Sequence, residues 1–166
     1  YARYNRDMDI KIGTDDYSPP TIGDRTAFTS QVIGDNEGLK RLPDAAERVL
    51  PLGHVALCFD DNVKDLGDVA ADVMRRAGYS VECSALGALG TLREDVRLMI
   101  SIGGGSAANA VKLEVGKRGA EWIHLMTCAS TDSALYPYAE LFENGRRQVV
   151  PCCPPTAVVV DGAARK

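Results

Sequence analysis

Histidine is nearly missing from this chain: His54 and His124 are the only two in 166 residues. Neither has a second histidine or an Asp/His cluster at ligand spacing, so the sequence offers no metal-binding set, and each is read as a packed or strand-edge side chain. No Ser-His-Asp pattern stands in its place. No apolar run approaches the ~20 residues that a membrane span requires, and no secretory signal is read at the start, which is Tyr1 rather than Met. Basic runs are absent and the net charge is −4, which argues against binding along a nucleic-acid backbone. The cysteines number five, an odd count, and no C-x-x-C spacing occurs among them. Cys58 and Cys83 are read as small buried hydrophobes in a reduced, cytoplasmic setting, and Cys152-Cys153 as a loop pair without a redox role. Internal repeats and low-complexity tracts are missing too, as are G-x-G-x-x-G and the Walker loop.

What is present is the balance of an ordinary globular domain, with 45% hydrophobic and 25% charged residues, in a chain long enough for one real core. Residues 1–26 are polar and irregular apart from a short alternation at 9–12, and read as an arm or edge segment. Residues 27–166 read as one domain. Within it, 27–33 is expected to be a strand, with a turn at Gly34, Asp35 and Asn36. Residues 37–50 have helical periodicity, with Leu39, Leu42, Ala45, Ala46 and Val49 on one face and Pro43 marking a first turn. A strand follows at 54–59, then a helix at 63–77 with Val63, Leu66, Val69, Ala70, Val73 and Met74 inward and Gly78 as its stop. Further strands are read at 79–84, 98–102 and 121–126. Residues 86–95 are a connection with room for one helical turn, and a helix runs to Arg118 and stops at Gly119. Late strands at 138–142, 147–150 and 157–160 enclose a hairpin turn at Asn144-Gly145. Strand and helix alternate from 27 to 126, the pattern of a parallel sheet covered on both faces.

One stretch organises the rest. Residues 98–102 form a buried strand, and Gly103, Gly104 and Gly105 then remove every Cβ, so the backbone can turn sharply and a ligand can approach. Ser106 is placed to cap the following helix. A helix N-terminus behind such a turn offers free N–H groups to a phosphate, although a bare GGG serves a ligandless turn as readily. In parallel sheets ligands bind outside the carboxyl ends of strands. Three polar loops occupy such ends: Asp60-Asp61-Asn62, Gly103 to Ser106, and the segment 127–132.

The run IGGGSAANAVK, then a strand, then MTCASTD, then PPTAVVVD resembles the nucleotide-binding half of the glycerol dehydrogenase group. Iron-containing alcohol dehydrogenases, glycerol-1-phosphate dehydrogenases and 3-dehydroquinate synthases are its relatives. The likeness runs from about residue 32 to residue 161 and implies a Rossmann-like α/β fold that binds NAD, or less favourably NADP. It implies that Asp60 bonds the adenosine ribose, a task suited to a carboxylate that can accept from both hydroxyls. It further implies that Gly103, Gly104, Gly105 and Ser106 hold the pyrophosphate, and that Thr127 and Ser130, with Thr131 beside them, touch the adenine and nicotinamide sides. Asp132 matches an acid beside the substrate, and with Lys112 it is the catalytic candidate. Tyr136, Tyr138 and Phe142 fall where the family makes further cofactor contacts, with different residue types.

Two departures stand out. The Asp of the family pattern GGGS-x-x-D-x-x-K is Asn109 here, which keeps hydrogen-bonding capacity but loses the charge, and the Pro of P-T is Met126. Lys112, three residues beyond Asn109, is retained and shares its helix face; read alone, it is as well a solvated helix lysine. Family enzymes hold Zn²⁺ or Fe²⁺ with an Asp and histidines from a helical C-terminal domain, so a metal is expected only where such a domain, absent from this sequence, accompanies the chain. The leading expectation is therefore the nucleotide-binding domain of a metal-dependent oxidoreductase acting on a small polyol or polyol phosphate, inactive without that domain. Its expected partners are a small-molecule nucleotide and either the missing domain or further copies of itself. A stand-alone binding module without catalysis and a dehydroquinate synthase-like lyase are the alternatives, the S-T-D loop favouring the dehydrogenases over the lyase.

Overall fold

The computed structural model describes residues 31–35, 37–128, 133–143 and 145–161. The arm at 1–26, the strand start at 27–30, and Ser130, Thr131, Asp132 and Asn144 lie outside the described residues, as does the side chain of Phe142.

Strands β1 (Gln31–Asp35), β2 (His54–Phe59), β3 (Ser80–Ala85), β4 (Leu98–Gly103) and β5 (Glu121–Met126) alternate with helices α1 (Leu42–Glu47), α2 (Lys64–Arg76) and α3 (Gly105–Arg118). The chain then forms β6 (Tyr138–Glu143), β7 (Arg146–Pro151) and β8 (Ala157–Asp161). Six strands make one sheet in the order β1-β8-β5-β4-β2-β3, and every pair in it is parallel. β6 and β7 pair antiparallel as a separate hairpin. β2, β4 and β5 are buried almost throughout, which is why they read as near-continuous apolar runs.

Two apolar layers cover the sheet. On one face Leu57, Phe59, Ile100, Ile102, Leu125 and Val159 pack with Leu42 and Ala46 of α1 and Ala70 and Met74 of α2. On the other, Ala56, Met99, Trp122 and Val158 pack with Ala108, Val111 and Val115 of α3. The fold is thus α/β and Rossmann-like, with helices on both faces and a late hairpin, as the alternation implies.

Several local expectations are corrected. β1 continues through Gly34 and Asp35 instead of turning there, because both residues pair with Val160 and Asp161 of β8. The segment 37–50 is a 3₁₀ turn (Gly38–Arg41) followed by the short α1, with Pro43 in its first turn, where a missing N–H is harmless. The connection at 86–95 holds a 3₁₀ helix, Leu86–Thr91, in keeping with the helical turn expected there. Val69 faces solvent, because glycine and alanines, not the bulkier valine, make the close contact of α2 with the sheet: Gly67, Ala70, Ala71 and Met74 are its buried residues. Cys83 is exposed because β3 is the sheet edge, whereas Cys58 is buried.

The first 3₁₀ turn is locked against β8. Leu39 N–H donates to the buried Asp161 carboxylate at 2.9 Å, and a Cβ on Gly38 would lie 2.6 Å from the Val160 carbonyl oxygen. Gly38→Ala must therefore push two backbones apart. We expect it to lower stability by about 1–3 kcal/mol, read as a lower urea midpoint at unchanged slope; a midpoint equal to wild type contradicts this packing.

Candidate functional site

Register fixes where the polar loops meet. Phe59 pairs with Ile102 and Gly103 with Met126, so β2, β4 and β5 end side by side and Asp60, Gly104 and Thr127 leave the sheet as neighbours. α2 packs on one face of the sheet and α3 on the other. The chain leaving β2 therefore departs from the chain leaving β4 toward the opposite face, and a crevice opens between these two adjacent strand ends. This is the topological switch point at which α/β sheets bind ligands.

The glycine turn forms the floor of that crevice. Gly103 has φ +142, a conformation that favours glycine, and an added Cβ would press on Ala107 at 3.1 Å. Gly104 is the residue before the helix, extended at φ −103 and ψ −151, and nothing lies within 4 Å of where its Cβ would stand. The expected cap, Ser106, is corrected: α3 begins at Gly105, no side chain caps it, and Ser106 is exposed in the first turn. The helix starts two residues earlier because the Gly104 carbonyl already accepts from Ala108 N–H at 3.1 Å. The amides of Gly105, Ser106 and Ala107 precede that first helical bond and have no partner within the helix. At the other end, Gly119 closes α3 in the left-handed conformation, φ +62, with its N–H on the Val115 carbonyl at 2.9 Å.

The flanking residues fit the same cradle. Asp60 takes one hydrogen bond on Oδ1 from Asn62 N–H, 3.0 Å away. Thr127 N–H donates to the Gly103 carbonyl at 3.1 Å, tying the exit of β5 to the turn. Asn109 lies one turn into α3; its Oδ1 is enclosed and has no hydrogen-bond partner among the described residues. An enclosed acceptor without a donor is uncommon in native folds.

Lys112 departs from the solvated reading. It is fully buried, and its ammonium donates to the Ser133 carbonyl and, at 2.9 Å, to the Tyr138 carbonyl. Its Nζ also stands 5.9 Å from the centre of the Trp122 ring. Tyr136 and Tyr138 stack on each other with ring centres 5.5 Å apart, in a segment joined to α3 through this lysine. Asp60, Gly103, Gly104, Gly105, Ser106, Asn109 and Thr127 are thus brought to one end of the sheet, whereas Tyr138 is held along the flank of α3.

Neither histidine joins the crevice. His54 starts β2, at the opposite end of the sheet, and meets Ser80 Oγ at 3.0 Å and Glu82 Oε2 at 3.2 Å. His124 is buried in β5 opposite Ser101 of β4, and its Nδ1 shares a 2.7 Å hydrogen bond with Ser101 Oγ. This Ser101–His124 pair was not singled out from the sequence; its signal is two polar residues in apolar strands that align once the register is known. No group of three or more His, Cys, Asp or Glu side chains among the described residues could hold a metal ion. No helix among them is long and apolar enough to cross a membrane.

Fold and crevice together define an α/β domain with an open glycine turn at its switch point. The chain belongs to the iron-containing alcohol dehydrogenase family, whose model matches residues 35–164. No curated protein matches it. Among solved structures, glycerol dehydrogenase from Schizosaccharomyces pombe superposes with a TM-score of 0.76 at 14% identity, over 95% of this chain and 41% of that one. NADH-dependent butanol dehydrogenase A from Thermotoga maritima gives 0.69 at 12% identity, over 82% of this chain and 44% of that one. Maleylacetate reductase from Agrobacterium tumefaciens gives 0.69 at 19%, over 82% and 42%. At these identities the likeness is one of fold, and the chain spans less than half the length of each of these structures.

Burial, and then the nearby Lys112 charge, depress the His124 pKa from 6.5 to about 3. His124 is therefore neutral in the fold and takes up a proton on unfolding. Stability is unaffected above pH ~6.5, the unfolded value, and falls as pH drops from there toward 3, by up to about 1.4 kcal/mol per unit. Urea midpoints at pH 7.5 and 5 should separate less in His124→Asn than in wild type; equal separations contradict the buried neutral state.

Proposed function

We infer that this chain binds NAD(H) and forms the nucleotide-binding part of a metal-dependent, glycerol dehydrogenase-like oxidoreductase acting on a small polyol or polyol phosphate. The observation that carries this reading is the meeting of Asp60, the open glycine turn and Thr127 at the switch point of the sheet. The unpartnered Oδ1 of Asn109 and the empty space over Gly104 support it from independent directions.

Each residue then has a task that its chemistry suits. The amides of Gly105, Ser106 and Ala107, at the positive end of α3, take the diphosphate. Asp60 accepts from the adenosine ribose hydroxyls; its negative charge disfavours a 2′-phosphate there, so NAD is preferred to NADP. Asn109 Oδ1 accepts a hydrogen bond from the nucleotide and Thr127 lines the side toward β5. Ser130, Thr131 and Asp132, which the family pattern assigns to the same loop, complete the proposed contacts. When bound, NAD(H) supplies or accepts the hydride. The described residues contribute binding and orientation, and they offer no ligand set for a metal. The metal and the substrate pocket are assigned, in this reading, to protein beyond this nucleotide-binding part.

Gly104 gives a clean test, because its conformation is open to other residues and its Cβ direction is empty. Gly104→Val should fold with a near-normal urea midpoint and bind NADH at least tenfold more weakly in a fluorescence titration. Unchanged affinity in a folded variant contradicts the diphosphate assignment.

A further inference from the structure

We propose that Lys112 is a positioning residue for the nucleotide crevice, not a catalytic one. Its ammonium fastens the segment 133–138 to α3, and so sets how the chain leaving β5 stands against the glycine turn. The proposal rests on the dinucleotide reading above and goes beyond it by assigning to one buried cation the hold on the segment that follows β5.

A lysine at 0% exposure gives up its water and must find acceptors inside the protein. Lys112 finds them on main chain: the carbonyls of Ser133 and Tyr138. Those two carbonyls bracket the 3₁₀ turn Ser133–Leu135 and the start of β6. The same segment is tied again where Cys152 N–H donates to the Pro137 carbonyl at 2.8 Å. An ammonium has three donors and no acceptor, so it can gather carbonyls from separate stretches of chain, which no apolar side chain of similar length can do.

α3 is the helix whose first residues form the glycine turn, so anything fastened to Lys112 is fastened to the turn. The chain leaving β5 is therefore anchored twice to one rigid unit. At Thr127 its N–H is on the Gly103 carbonyl, and at Ser133 its carbonyl is on Lys112. Loss of the second anchor would free the segment 133–138, to which the chain leaving β5 connects, while leaving the glycine turn itself intact. A lysine acting in chemistry would instead direct its ammonium to a ligand, whereas here two of its hydrogen bonds are spent on backbone.

Three measurements on wild type, Lys112→Met and Lys112→Arg test this. They are amide hydrogen exchange at residues 133–136 and 138, NADH affinity by titration, and the emission of Trp122, the sole tryptophan, whose ring lies beside the ammonium. The expected result for Lys112→Met is at least tenfold faster exchange in that segment, with β4 and β5 still protected, a shifted Trp122 emission, and at least tenfold weaker NADH binding. Lys112→Arg, which keeps charge and donors, should recover part of the exchange protection and part of the affinity together. Should Lys112→Met not fold, the same coupled losses, smaller in size, are read from Lys112→Arg against wild type. Weaker NADH binding with unchanged exchange would mean that Lys112 touches the nucleotide itself and would overturn the proposal. Faster exchange with unchanged NADH affinity would reduce the lysine to a purely structural role and overturn it equally. Absence of NADH binding by wild type would overturn the dinucleotide reading and this proposal with it, while the exchange arm would still report whether the clamp holds the segment.

Discussion

Parallel pairing brings the carboxyl ends of β2, β4 and β5 to one level, and the rest of the crevice follows from that register. Phe59 opposite Ile102 and Gly103 opposite Met126 leave Asp60, Gly104 and Thr127 to emerge as neighbours. Side-chain alternation in a strand has period two, so a slip of one residue would turn every inward side chain of β4 to the other face. The buried apolar residues on both faces of these strands oppose such a slip. The placing of these strand ends is in this sense enforced by the core.

The helix behind the glycine turn is held at three places. Its N-terminal end rests on a turn whose Gly103, at φ +142, holds a conformation that L side chains rarely adopt. Midway, Lys112 gathers the Ser133 and Tyr138 carbonyls. Near its C-terminal end, Arg118 pairs with Glu114 at 2.6 Å and donates to the carbonyls of Leu89, Leu92 and Arg93. Two long cationic side chains thus bind the loops on either side of α3 to the helix by main-chain hydrogen bonds. Satisfied buried polar groups of this kind specify one arrangement, because any shift leaves a carbonyl or an ammonium without a partner. A preorganised wall lowers the ordering cost of ligand binding.

The sequence made much of this legible, for identifiable reasons. The apolar runs at 54–59, 98–102 and 121–126 could only be two-sided strands, and the glycines between one of them and an alanine-rich segment could only be a turn into a helix. What stayed hidden depended on partners distant in sequence. The continuation of β1 to Asp35 is set by β8, some 126 residues later. The exposure of Cys83 follows from β3 being an edge, which local pattern does not encode. Lys112 reads as solvated because its two carbonyl partners lie 21 and 26 residues away. Ser106 reads as a cap because serine favours that role, yet the carbonyl of Gly104 claims the first helical bond.

The central claim is that main-chain amides at the start of α3 receive the diphosphate of a dinucleotide. Amide-resolved NMR during titration with ADP tests it most directly, since ADP carries the diphosphate and adenosine ribose without the nicotinamide. The account requires the amides of Gly104, Gly105, Ser106 and Ala107 to shift together and saturate along one binding curve, with Asp60 and Thr127 following the same curve. Saturable shifts confined to another surface, with these amides unmoved, would contradict it.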